Sequence, residues 1–75
     1  MSKLLTDVGE ALYGPRWQSD LARDLIISDR TVRRWAAGID DLPPGVALDL
    51  LRLCHARGQA IDDVVERLRL AATPK

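Results

Sequence analysis

Between Gln18 and Ala37 the chain holds two helical apolar periods with almost nothing between them. The segment runs Gln-Ser-Asp-Leu-Ala-Arg-Asp-Leu-Ile-Ile-Ser-Asp-Arg-Thr-Val-Arg-Arg-Trp-Ala-Ala. At about 100° per residue, Leu21, Ala22 and Leu25 fall on one inner stripe, with Trp17 just ahead of it. Asp20, Arg23 and Asp24 point outward. Val32, Trp35 and Ala36 form a second stripe only a few residues on. Burying both stripes calls for a tight turn and a close crossing, and Ala22 is small enough to permit it. No part of the chain shows strand-like alternation, repeats or low complexity, so the class is all-α.

The second of these helices carries chemistry on its other side. Ser28 is a good N-cap, and Asp29 sits beside the positive end of the helix dipole. Opposite Val32 and Trp35 stand Arg30, Arg33, Arg34 and Ala37, with Asp29 at the edge. Arginine forks onto the O6 and N7 acceptors of guanine and also binds phosphate. Three arginines taken alone are explained by an ordinary solvated face. Joined to the helix before them, they read as a face for duplex DNA. Gln18 opens the first helix, where free N–H groups and an amide side chain suit a phosphate.

Taken together, the segment resembles the helix-turn-helix of the lambda-repressor and Cro family of small phage and bacterial repressors. Gln18 matches the family's first motif position, Ala22 the fifth, Val32 the fifteenth and Trp35 the eighteenth. The resemblance implies base and phosphate contacts from Gln18, Ser28, Asp29, Arg30, Arg33, Arg34 and Ala37. It implies a dimeric transcriptional repressor on an inverted-repeat operator, binding double-stranded DNA through the major groove. Control of its own phage or mobile-element operon, as by the regulators beside anti-CRISPR genes, is permitted by the resemblance but not selected. One position departs from the pattern: the ninth is usually Gly, because the turn wants a positive φ, and here it is Ile26. At least one of Ile26 and Ile27 must be buried between the helices.

The flanks supply the rest of a small domain. Leu4, Leu5, Val8, Ala11 and Leu12 repeat at helical spacing, so a helix is expected from Leu4 to Tyr13, ended by Gly14-Pro15. Gly9 inside it marks close packing. Gly38 caps the second motif helix, and the Asp40-Asp41 pair reads as a solvated turn in the loop from Ile39 to Leu42. Pro43-Pro44-Gly45 opens a fourth helix over about Val46 to Arg57, ended by Gly58. Asp62 caps a fifth, reaching about Ala72, and Thr73-Pro74-Lys75 is a frayed tail. The expectation is one domain over residues 1–75, a small orthogonal bundle of about five helices.

The fourth helix is apolar over about twice the arc that a one-sided helix needs. Ala47, Leu50, Leu51 and Cys54 form its expected core stripe, widened by Val46 and Leu53 on one side and Leu48 on the other. On the fifth helix Ile61, Val64, Val65, Leu68 and Ala72 share a face, and Leu70 falls off it. This surplus predicts a homodimer, with Leu48, Leu53 and Leu70 at the interface.

Composition narrows the function. With no Phe, the core is built of Leu, Val and Ile pinned by Trp17 and Trp35. A single cysteine excludes an internal disulfide, and Cys54 reads as a buried thiol. His55 follows it but faces elsewhere, so neither a metal centre nor a Cys–His nucleophile is expected. There is no nucleophile–base pair and no phosphate loop, so no enzyme, cofactor or small-molecule ligand is expected. No run is long enough to span a membrane and no signal peptide is seen, which predicts a cytoplasmic protein. Net charge is zero, yet five arginines face three aspartates from Arg16 to Arg34, while six acids face five bases from Asp40 to Lys75. Positive charge leans toward the motif, and DNA affinity should depend strongly on salt. The competing reading is an antitoxin or other protein–protein module built on the same motif; it lacks the long polar arm such proteins use.

Overall fold

A computed structural model describes residues 3–73. The helices are α1 (Lys3–Tyr13), α2 (Trp17–Leu25), α3 (Asp29–Ala36) and α4 (Pro44–Ala72). Among the described residues there is no strand, and no helix is long and apolar enough to cross a membrane. Pro74 and Lys75, expected in a frayed tail, lie outside the described residues.

The end of α1 and both ends of α3 fall where local chemistry says they should. Gly14 takes φ +85 behind α1, and its N–H reaches the Glu10 carbonyl at 2.8 Å. Gly38 takes φ +77 behind α3. There the Gly38 N–H donates to Trp35 O at 3.1 Å and the Ile39 N–H to Arg34 O at 3.0 Å, which is a Schellman closure. The same closure ends α2 with the wrong residue. Ile26 sits at φ 57, ψ 50, its N–H donating to Arg23 O at 3.2 Å and that of Ile27 to Ala22 O at 2.9 Å. Ile27 then packs against the core, while Ile26 is 90% exposed. A β-branched side chain in this region is strained by about 1–3 kcal/mol and, being in water, recovers nothing by packing. Ile26→Gly is therefore expected to stabilise the fold by about 0.5–1 kcal/mol, the strain relieved less the entropy a glycine costs. Urea unfolding at unchanged m-value checks it; a destabilised variant would show that the turn gains from isoleucine.

The expected fourth and fifth helices are one helix of 29 residues. Gly58 does not end it, because its φ is not positive, and Asp62 lies in its interior instead of at a cap. A mid-helix Gly costs about 1 kcal/mol and an Asp less, which neighbouring Ala, Leu and Arg can carry. The orthogonal bundle of five is thus replaced by a body of α1, α2 and α3 with one long helix laid on it by its first half. The extents are 56 × 22 × 21 Å, and the radius of gyration is 15.4 Å, against about 11 Å for a compact chain of this length.

The core is Leu5, Leu12, Trp17, Leu21, Ala22, Val32, Trp35 and Leu50. Gly9 is buried in α1, and the ring of Trp17 lies where a side chain at that position would go, with Cδ2 and Cε3 nearest. From α4 only Leu50 is fully buried, with Val46 and Leu53 packed beside it. The expected stripe is therefore rotated: Ala47 and Leu51 are exposed, and Cys54 is half-buried, not a buried thiol. Leu50 belongs to both stripes, and only packing selects between them.

Arg57 completes the seat of α4. Its Nη1 donates to the Leu12 carbonyl at 3.0 Å, satisfying the end of α1, and its guanidinium stands 5.8 Å from the centre of the Tyr13 ring. The Tyr13 hydroxyl donates to Asp24 Oδ2 at 2.6 Å, joining the ends of α1 and α2. Burial, and then the bond to Asp24, push the Tyr13 phenol up to about 12.

Candidate nucleic-acid interface

The turn residues 26–28 lead from α2 directly into α3, and α3 divides cleanly into two faces. Val32 and Trp35 are buried and Ala36 packs against the core. Asp29, Arg30, Arg33 and Ala37 are exposed on the other side. Arg30 and Arg33 make no ion pair or side-chain hydrogen bond among the described residues. Two guanidiniums one turn apart thus face solvent, held on a helix whose far side is locked in the core. Asp29 occupies the first turn of α3, where the helix dipole favours it.

Other residues of the expected set have structural duties. The Ser28 Oγ accepts from the Thr31 N–H at 3.1 Å and shares a hydrogen bond with Thr31 Oγ1 at 2.8 Å. That hydroxyl holds the start of α3, as its N-cap position implied. Arg34 is turned aside: Nε donates to Asp40 Oδ2 at 2.6 Å and Nη2 to Oδ1 at 3.3 Å. The hydrogen bonds, and then the charge, raise the Arg34 guanidinium above its ordinary value, and the same bonds hold the Asp40 carboxyl below the usual carboxylate range. Asp40, expected as a solvated turn residue, is the partner that staples this loop to α3. Ala37 follows α3 as its C-cap, with its N–H on Arg33 O at 2.9 Å.

At the start of α2, Gln18 is half-buried and no side chain caps the helix. The first N–H groups of α2 therefore have no side-chain acceptor among the described residues. Residues 15–19 line an open recess of about 270 Å³. Arg16 is exposed beside it, a cation that the reading of the motif passed over because it precedes the apolar period. Arg23, by contrast, pairs with Asp20 at 2.8 Å.

The residues expected at a dimer interface do not share one surface. Leu48 and Leu70 are exposed, whereas Leu53 is half-buried against its own core. Among the described residues no group of three His, Cys, Asp or Glu side chains is placed to hold a metal ion. Comparison of the chain with protein-family models, with curated proteins and with solved structures finds no match.

Proposed function

We propose that this chain is a sequence-specific double-stranded DNA-binding regulator, a homodimeric repressor that lays α3 in the major groove of an inverted-repeat operator. The observation that carries the reading is the exposed pair Arg30 and Arg33 on a short helix whose opposite face is buried. Arg33, nearer the middle of the face, reads a guanine edge; Arg30 lies toward the start of α3 and serves base or phosphate. Arg34 holds the loop after α3 through Asp40. Gln18, Arg16 and the uncapped N–H groups of α2 meet the phosphate backbone. Bound there, the protein would block RNA polymerase, with control of its own operon as the simplest circuit.

Selection of bound sequences from a random duplex pool supplies the operator. Arg33→Ala is then expected to cost about 1–3 kcal/mol of specific binding and to relax preference at one position. Gln18→Ala should weaken binding evenly across sequences. Unchanged operator affinity for a folded Arg33→Ala protein would sink the assignment of this face. One observation favours a second reading, a module that binds another protein: the projecting half of α4 exposes Ile61, Val65 and Leu68. A pool selection that enriches no sequence would favour it.

A further inference from the structure

Every residue from His55 to Thr73 is exposed, yet that half of α4 is not polar on all sides. From Ala47 the apolar or small positions advance by steps of four and three through Leu51, Cys54, Gly58, Ile61, Val65 and Leu68 to Ala72. This is an unbroken 3.5-residue repeat over about seven turns, the pattern of a two-helix seam. It adjoins the row of Val46, Leu50, Leu53 and Arg57 that faces the chain's own body. Two neighbouring apolar rows account for the overly wide arc of α4. In a single chain every member of the second row is exposed except the half-buried Cys54.

We infer that a second copy of this chain covers the seam, with the two α4 helices running antiparallel and crossing between residues 59 and 60. It rests on the dimer of the proposed function but not on its DNA. In this register Gly58 meets the partner's Ile61, Cys54 meets the partner's Val65, Leu51 meets the partner's Leu68, and Ala47 meets the partner's Ala72. A gap lies opposite a bulky residue at the centre, where Gly58 has open space at its Cα. A parallel pair in register would stack Gly58 on Gly58 and Cys54 on Cys54, leaving a hollow.

The flanks select the same direction. Antiparallel pairing sets His55 beside the partner's Asp62, a donor against a carboxylate. On the other flank it sets the partner's Val64 beside the Arg57 stem. A parallel pair would instead ask Arg57 to meet the partner's Asp62, and Arg57 already holds the Leu12 carbonyl and the Tyr13 ring. The body also has room for the incoming helix. An apolar groove of about 210 Å³ runs between α1 and α4, where Leu4, Val8, Ala47, Leu51 and Cys54 meet, and Leu4 is 68% exposed. The partner's Val65 and Leu68 enter that groove. With 1.5 Å per residue, the two Leu50 anchors lie about 30 Å apart along the pair.

Cys54 is the chain's one cysteine, and it makes the direction measurable. Antiparallel pairing holds the two Cys54 residues about 16 Å apart along the axis, beyond disulfide reach. The wild type is expected to sediment at twice 8.3 kDa and to remain uncrosslinked under mild oxidation. Val65→Cys is expected to give a covalent dimer, and Val65→Cys combined with Cys54→Ser to give none. Leu68→Glu should shift sedimentation to the single chain. A wild-type Cys54 disulfide, or crosslinking of the Val65→Cys/Cys54→Ser protein, would replace this arrangement with a parallel one while leaving the dimer intact. A chain of 8.3 kDa at tens of micromolar that never crosslinks would overturn self-association. Neither result bears on Arg33, whose loss of operator binding is read independently.

Discussion

Gly9→Ala is expected to destabilise this protein by about 3 kcal/mol, the top of the range for overpacking a core. The added methyl falls on the face of the Trp17 ring. That ring is 4% exposed and begins α2, so it cannot move without dragging the helix. The gain in helix propensity, about 1 kcal/mol, is too small to offset this. For a domain of this size the melting temperature should fall by about 10–25 °C. Trp17→Leu removes the ring atoms that meet the methyl. In that background Gly9→Ala should cost much less, and this non-additivity identifies the clash itself as the cause. Equal costs in the two backgrounds would refute it.

Trp35→Ala should cost about 3–5 kcal/mol. The indole is 6% exposed on α3, and it belongs to the same cluster as Leu21, Val32 and Leu50. Its loss opens a cavity in that cluster and removes one of the two buried side chains that hold α3. A chain of 75 residues has about 4–11 kcal/mol of stability in all, so the variant loses a large share of it and should melt well below the wild type by circular dichroism. The native fluorophore gives a second check. With Trp17→Phe, emission should be blue-shifted and should move to the red on unfolding; emission of hydrated indole from the native state would contradict the packing.

The sequence discloses α1, α2 and α3 because local markers stand at the end of α1 and at both ends of α3, and α2 fills the interval between them. Tyr13-Gly14-Pro15, Ser28 and Gly38 act within a few residues of themselves, through positive φ or a capping oxygen. Gly58 and Asp62 look like such markers and are not. Whether a glycine ends a helix depends on the φ it takes, and the penalty for keeping it helical is small against the rest of a 29-residue helix. The inner row of α4 was illegible for a different reason: two adjoining rows are both apolar, and Leu50 serves either. In the candidate site the exposed side of α3 follows from helical periodicity, and Arg30 and Arg33 stand where that periodicity sets them. Arg34 differs because its partner, Asp40, is brought back by the turn at Gly38, six residues along the chain. The cation over Tyr13 is remoter still, since Arg57 arrives from α4.

The division of labour within α3 has a consequence for how such a protein can change. Val32 and Trp35 hold the helix to the core, and Ser28 and Gly38 close its two ends. None of these duties falls on positions 29, 30 or 33, which are exposed. Exchanges at 30 and 33, Gly and Pro aside, alter stability by about 0.5 kcal/mol at most, and loss of Asp29 costs about 0.3–1 kcal/mol. The outward chemistry of α3 and the integrity of the domain are therefore separately inheritable. A lineage carrying this scaffold can rewrite what α3 presents, one side chain at a time, without passing through an unfolded ancestor.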